Sequence, residues 1–393
     1  MSLLSVAEAR ARLIAMARPV AGETLPLAAA AGRWLAEPLI ARHARPPADL
    51  SAMDGYALRF GDLPGPLRVI GESAAGRPFA GAIGPGEATR IFTGAAVPPG
   101  ADAILVQEEA RRDGDMLWLA GEGPGRPGRN IRPRGLDFAE GAVLIPAGER
   151  LTPPRIALAA AAGHGALHVN RRVRVGLIAT GDELRAPGAG TDAAAIPESN
   201  GVMLGALLAD LPVDVIDLGI VADDLAALTA AFAGFRGDIL VTSGGASVGD
   251  HDLVRPALEA AGGAIDFWRI AMRPGKPMLA GTLGEAVMLG LPGNPVSAFV
   301  TATLFLRPLI AAMAGAADPA PATLTAMLGA PLPANDHRED YLRAELRNGL
   351  VFPADRQDSS MLLTLAQSTC LIVRPPHAAA AQAGDRVAIL PLA

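Results

Sequence analysis

The sequence predicts an α/β multidomain protein centred on a doubly wound domain at residues 171–316. Three observations carry that expectation. Continuous apolar strands alternate with helices from Val173 onward, the pattern of a parallel sheet covered on both faces. The 393 residues include 45 glycines and 34 prolines, about one residue in five, which favours many turns over a long helical bundle. Apolar residues make up 50% and charged residues 19%, enough for large cores and against wholesale disorder. At roughly 150 residues per domain, two to four domains are expected.

Ser5-Val6-Ala7-Glu8 has capping-box spacing, so a helix should run to about Ala17. From Leu25 to Leu151 short apolar runs are broken by Gly and Pro. Leu67–Ile70, Ala88–Phe92, Ala103–Val106, Met116–Leu119 and Ala142–Ile145 read as strands. Gly123–Gly128 matches the dinucleotide fingerprint formally. Prolines occupy the loop, no strand leads in and no helix leaves, so a turn-rich connection is expected there.

Val173–Ala179 is a continuous apolar strand followed by Thr180-Gly-Asp-Glu183. Ser199-Asn200 should cap a helix through Leu208, and Asp223-Asp224 another through Phe232, with a strand at Val213–Leu218 between them. Asp238–Thr242 is a third strand, ending in Ser243-Gly-Gly-Ala-Ser-Val-Gly249. A helix over 253–261 and strands at Ile265–Ala271, Pro277–Ala280 and Ala286–Gly290 follow. Leu291-Pro-Gly-Asn-Pro295 opens an apolar helix, with Pro295 suited to its first turn. Its most apolar stretch, Val296–Leu306, is expected to be too short for a membrane span and meets Arg307 and Pro308. Beyond residues 316–322, short strands around Leu324–Leu328, Tyr341–Leu346, Leu371–Val373 and Val387–Leu390 suggest a small β-rich terminal domain.

The net charge of −6 argues against a nucleic-acid protein, which would show a basic stripe. The single cysteine, Cys370, excludes an internal disulfide framework and a cysteine-rich zinc site; it reads as a buried structural thiol. Glu8 and Arg10 interrupt any signal-peptide core, so a cytoplasmic protein without a membrane role is expected. Among 34 basic residues Lys276 is the one lysine. A lysine kept against such a bias suggests a place where a compact ammonium is needed and a planar guanidinium would not serve.

In open α/β sheets, ligands bind at the carboxyl ends of strands near the switch in strand order. That rule collects Thr180-Gly-Asp-Glu183, Ser243-Gly-Gly-Ala-Ser247, Arg273-Pro-Gly-Lys276 and Pro292-Gly-Asn-Pro295 at one edge. Glycines there let backbone N–H groups approach an anion, Ser243 and Ser247 add hydroxyls, and Arg273 and Lys276 add charge. The P-loop spacing is absent and Pro277 follows the lysine, so a phosphate-bearing ligand is expected without P-loop chemistry. Asp182, Glu183, Asp250 and Asp252 sit beside these turns and suit Mg²⁺, whereas Asp224 reads as a helix cap. Leu50–Ala57 is a second candidate, in which Asp54 could equally be a turn residue. The scattered histidines form no metal site, and no Ser–His–Asp set declares itself.

At this point the motifs resemble those of the molybdopterin molybdenumtransferases, the MoeA and gephyrin E-domain family. The resemblance lies in Pro47-Ala-Asp-Leu-Ser-Ala-Met-Asp-Gly-Tyr-Ala57, in Arg90-Ile-Phe-Thr-Gly-Ala-Ala-Val-Pro-Pro-Gly-Ala-Asp102 with Gln107-Glu108, and in Asn130-Ile-Arg-Pro-Arg-Gly135. It continues through the four α/β turns and Arg356-Gln-Asp-Ser-Ser360, covering nearly the whole chain in order. It implies a split linker domain (1–46 and 139–170), an inserted β-rich domain (47–138), a molybdopterin-binding α/β domain (171–316) and a C-terminal β-barrel-like domain (317–393). It also implies a homodimer whose active cleft lies between the α/β domain of one subunit and the inserted domain of the other.

The implied reaction inserts molybdate into adenylyl-molybdopterin, releasing AMP and forming molybdenum cofactor, with Mg²⁺ or Zn²⁺ assisting. Asp54, Thr93, Asp137, Glu183, Asp223, Asp252 and Lys276 match the family's catalytic positions, with Glu183 and Asp252 as metal ligands. Thr180, Gly181, Asp182, Ser243, Gly244, Gly245, Ser247, Pro292, Gly293, Asn294 and Pro295 match its substrate-binding turns. Arg273, Lys276, Ser297, Arg338 and Ser359 or Ser360 resemble its molybdate shell. Transient contacts with molybdopterin adenylyltransferase and molybdoenzyme maturation factors are implied as well. Arg273 stands where the family usually has lysine, and Leu136 where it has glutamate. Molybdopterin adenylyltransferase and a nucleotide-pyrophosphatase relative would not need segments 47–58 and 340–393, and a scaffold would favour a fused domain or long linker.

Overall fold

A computed structural model describes residues 3–190, 194–245 and 253–392, with Trp268 described by its backbone. The α/β domain holds six strands: β1 (Val173–Thr180), β2 (Val213–Val221), β3 (Ile239–Ser243), β4 (Ala264–Trp268), β5 (Leu279–Leu283) and β6 (Ala286–Leu291). Its helices are α1 (Asn200–Leu208), α2 (Leu225–Gly234), α3 (Val254–Ala260) and α4 (Pro295–Met313). Sheet order is β2-β1-β3-β6-β5-β4. β2, β1, β3 and β6 are parallel, and β5 runs against both of its neighbours. The chain leaves β1 in one direction and returns through β3 on its other side, so the switch point lies between the ends of β1 and β3.

The continuous apolar strands have the two-sided burial that a doubly wound sheet requires. Val175, Leu177, Val241 and Leu289 pack on one face with α1, α4 and the N-terminal helix Val6–Met16. Ile178, Leu240 and Met288 pack on the other with Leu228 and Phe232 of α2 and Leu258 of α3. Ser5 caps the N-terminal helix in a complete capping box, as its spacing requires. Asp224 caps α2 by accepting from the Ala227 N–H, 2.8 Å away.

Three expectations need correction. Ser199 makes no side-chain cap on α1; Glu198 accepts from the Gly201 N–H instead, at 2.7 Å. The strand expected from Pro277 begins at Leu279. The apolar stretch Val296–Leu306 belongs to one longer helix, Pro295–Met313, which is long and apolar enough to cross a membrane by length and composition. It is 83% buried inside the protein, which makes it a core helix. A π-helical turn at Ala302–Leu306 lets the chain continue, because Pro308 then falls in the first turn of the following α segment, where no N–H is needed.

The inserted region is a six-stranded sheet ordered Ala103–Val106, Gly55–Leu58, Glu87–Ile91, Leu67–Ser73, Met116–Leu119 and Ala110–Asp113. Gly55 is obligatory in it, since a Cβ there would lie 2.0 Å from the Leu105 carbonyl oxygen. At the C-terminus five strands close into a barrel: Leu324–Leu328, Glu339–Arg347, Leu350–Pro353, Cys370–Arg374 and Arg386–Pro391. Cys370 is buried in its core, as its apolar setting suggests. The short strand Met272–Arg273 pairs with Glu339–Asp340 and stitches the barrel to the α/β domain.

Asp238, at the foot of β3, accepts two hydrogen bonds from Arg171 (2.7 and 2.8 Å) and one from the Arg174 N–H (2.8 Å). Burial raises its carboxyl pKa, but these donors outweigh burial and hold it below the usual aspartate range. A depressed folded-state pKa means stability that is present above the unfolded value and lost as pH falls through the folded one. Asp238→Asn should therefore cost about 1–3 kcal/mol at neutral pH. The gap from the parent should narrow below about pH 4 in urea unfolding curves.

Candidate functional site

At the carboxyl ends of β1, β3 and β6 lies a cavity of about 800 Å³. Thr180, Gly181, Glu183, Asp223, Ser243, Gly244, Gly245, Pro292, Gly293, Asn294 and Pro295 line it, together with Ser360 from the C-terminal domain. The switch-point rule and these turns thus meet in one place. Gly244 has φ +98°, and a Cβ on it would sit 2.4 Å from the Thr180 carbonyl oxygen. Gly293 comes so close that its own Cβ would lie 3.6 Å from the Gly244 Cα. A side chain at 244 would therefore strike the Thr180 backbone, whereas a Cβ at 293 would meet Gly244 at ordinary van der Waals distance.

The acidic wall is built through local hydrogen bonds. Thr180 donates its hydroxyl to Asp223, whose own N–H donates to Asp182 at 3.2 Å. Asp182 is thereby engaged with backbone, while Glu183 and Asp223 both reach the cavity lining. Among the described residues no group of three His, Cys, Asp or Glu side chains could enclose a metal. Mg²⁺ takes one or two carboxylates and completes its shell with water and substrate phosphates, so Glu183 and Asp223 fit it. Ser247 and Asp252, also expected at this site, lie outside the described residues.

The basic residues divide by role. Arg273 donates to Asp340 through Nε at 2.9 Å and again through Nη2, with Nη2 also 3.3 Å from Asn335 Oδ1. Its fork is therefore engaged across the seam to the C-terminal domain, and this pairing raises its pKa. Arg338 donates Nη2 to Asp336 at 3.1 Å, while its buried Nε has no partner. Hydrogen bonds from the Arg338 side chain and backbone bring the Asp336 carboxyl down to about 2. Lys276 is exposed, makes no ion pair or side-chain hydrogen bond among the described residues, and directly precedes Pro277, which lines the cavity.

The C-terminal contribution depends on a residue that the motifs did not reveal. Arg343 is 1% exposed and donates to the carbonyls of Asp358 and Arg356 and to Gln357 Oε1. Gln357 returns a bond to the Arg343 carbonyl at 3.0 Å. This clamp shapes the turn from which Ser359 accepts a bond from Asn294 Nδ2 (3.1 Å) and, through its carbonyl, one from the Val296 N–H (3.1 Å). Ser360 donates to Asp358 at 2.6 Å, and Ser297 is buried in the first turn of α4. Sequence reasoning also missed Asn200 as a cavity residue, because its type and position already suit a helix start.

Asp54 and Thr93 form a separate cluster on the inserted sheet. Asp54 accepts from both the N–H and the hydroxyl of Thr93 at 2.7 Å, which lowers its pKa. Arg90 stacks between Tyr56 and Phe92, 5.2 and 4.8 Å from their centroids, and donates to the Gly55 carbonyl and Gln107. Asp137 lies elsewhere again, 3.5 Å from Arg45 in a cavity of about 460 Å³ lined also by His43, Arg132 and Leu136. None of these residues lines the switch-point cavity of its own chain.

Fold and cavity together define the class: a multidomain protein built around a doubly wound domain of the kind described as a probable molybdopterin binding domain, whose family model matches residues 176–312. The MoeA N-terminal region (domain I and II) matches residues 4–163, and the MoeA C-terminal region (domain IV) matches 325–392. The chain belongs to the MoeA family. It is 36% identical to the molybdopterin molybdenumtransferase of Haemophilus influenzae, over 99% of this chain and 98% of that one. It is 31% identical to the molybdopterin molybdenumtransferase of Bacillus subtilis, over 91% and 87%. The molybdopterin biosynthesis MoeA protein of Pyrococcus horikoshii OT3 superposes with a TM-score of 0.86 at 27% identity, covering 99% of this chain and all of that one.

If Arg343 organises the serine turn, Arg343→Met should cost about 1–3 kcal/mol through the carbonyls it leaves unpaired. Hydrogen exchange should accelerate at residues 356–360 more than in the rest of the barrel. Arg343→Lys keeps the charge but not the fork, and should show the same local acceleration.

Proposed function

We propose that this protein is a molybdopterin molybdenumtransferase, inserting molybdate into adenylyl-molybdopterin and releasing AMP. The observation that carries this reading is the single cavity in which the β1, β3 and β6 turns meet Ser360 of the C-terminal domain. Backbone N–H groups at Gly245 and Gly293 suit the adenylyl phosphate, the Gly244 N–H being bound to the Leu291 carbonyl. Molybdate, a small dianion, needs cations and hydroxyl donors; Lys276, Arg338, Ser297, Ser359 and Ser360 supply them. Arg273 is the least free member of that shell, because its guanidinium is engaged by Asp340. The dithiolene sulfurs belong to the substrate, so a chain whose lone thiol is buried in the barrel suffices.

Glu183 and Asp223 would hold Mg²⁺, with Asp252 as a further ligand and Zn²⁺ as the alternative ion. The ion would supply charge neutralisation at the substrate phosphates. We further propose a homodimer in which the partner's inserted domain closes over the cavity. This brings Asp54, Thr93 and Asp137 to a cleft that one chain leaves without them. The reading places the enzyme in the cytoplasm, in transient contact with molybdopterin adenylyltransferase and molybdoenzyme maturation factors.

Purified protein supplied with adenylylated molybdopterin, Mg²⁺ and molybdate should release AMP in a molybdate-dependent way; no such release would overturn the assignment. Lys276→Ala should raise the molybdate KM about tenfold or more while leaving the melting temperature unchanged. Normal molybdate dependence would remove Lys276 from the site. Coexpressed Asp54→Ala and Lys276→Ala chains should regain about a quarter of the parental activity, because a mixed dimer holds one intact shared cleft. No recovery would mean that each cleft is built within one chain.

A further inference from the structure

Asn200 opens α1 on the cavity wall and is 9% exposed. Its amide nitrogen donates to Ser243 Oγ at 2.7 Å and to the Gly293 carbonyl at 2.8 Å. A backbone carbonyl can accept but not donate, so the amide orientation is fixed and both of its N–H groups are used. The side-chain oxygen Oδ1 is then left buried without a hydrogen-bond partner. Buried polar atoms are nearly always paired; this orphan acceptor has under 1 Å² of accessible surface, on a side chain that lines the cavity, and a donor carried by a seated ligand is what would pair it.

The chemistry of that donor is restricted. Molybdate and a phosphate diester present acceptor oxygens and would meet Oδ1 with repulsion. A nitrogen heterocycle carrying ring N–H or exocyclic NH₂ groups supplies what is missing. Resting on the transferase reading above, we propose that Asn200 is a specificity-determining residue that accepts an N–H from the substrate's heterocycle, either its pterin or its adenine. The same side chain ties the end of β3 to the β6 turn, so the acceptor is held in place before substrate arrives. Recognition of the ring is thereby separated from recognition of the anion, which falls to the glycine turns and cations.

The test measures binding of adenylylated molybdopterin, AMP, IMP and inorganic molybdate to the parent and to Asn200→Ala, with Asn200→Ser replacing it if the alanine variant fails to fold. Affinity for adenylylated molybdopterin should fall about tenfold or more, while molybdate affinity stays within about twofold. Loss of AMP binding without loss of IMP binding assigns the contact to the adenine amino group; unchanged binding of both nucleotides assigns it to the pterin. The proposal is overturned if the variant binds adenylylated molybdopterin as the parent does, since Oδ1 then needs no more than a water. It is equally overturned if molybdate binding falls by the same factor, which would mark a loop-shaping role. A parent protein that binds no adenylylated molybdopterin would sink the transferase reading with it, whereas a parent that binds normally beside an unchanged variant sinks this proposal alone.

Discussion

The site depends on the near-contact of two turns, Gly244 after β3 and Gly293 after β6. Neighbouring parallel strands bring their ends together, and a Cβ at 244 would strike the Thr180 carbonyl oxygen at 2.4 Å. With glycine at both positions the backbones meet, and Asn200 bridges the gap by binding Ser243 on one side and Gly293 on the other. The cavity opens beside these two turns, and α4 starts two residues beyond Gly293. Loss of the approach would leave a sheet that still buried its apolar faces but offered no anion cradle.

The C-terminal barrel is more than a covering domain. Its serine turn reaches the cavity through Asn294 and Val296, and that turn is shaped by Arg343 from inside the barrel. Burying an arginine with neutral carbonyl partners lowers its pKa, because desolvation is only partly offset by the charge of Asp358. Such burial is tolerated where the guanidinium fork satisfies several carbonyls that a smaller group would leave unpaired. The barrel thus contributes placement as well as burial.

Much of this architecture was legible in the sequence because the α/β strands are buried on both faces and therefore continuously apolar. Leu324–Leu328 was read to the residue, while Leu350–Pro353 went unseen because four residues ending in proline carry little periodicity. The length of α4 is underestimated by its apolar run Val296–Leu306, since a π turn that accommodates Pro308 leaves no compositional trace. Of the four glycine turns named by rule, those at 180–183, 243–245 and 292–295 line the cavity, while the fourth meets it only through the following Pro277. Arg343 was not named, because nothing local distinguishes a buried arginine on a strand from a solvated one. Asn200 was hidden by a sufficient local explanation: Asn at a helix start needs no other reason until its two donors are located.

The division of labour between Arg273 and Lys276 explains why one lysine survives in an arginine-rich chain. Arg273 faces Asp340 and Asn335 at the domain seam, where a planar fork can satisfy two acceptors at once. A lysine ammonium is compact, carries its charge at one point and lacks the fork that favours bidentate carboxylate pairing. At 276 the lysine is exposed and makes no ion pair among the described residues. Gly275, at φ +107° against Thr301, places the lysine at the sharp turn that leads to Pro277 and the cavity. The two cations therefore sit differently: one is engaged at the domain seam, and the other is exposed beside the turn into Pro277.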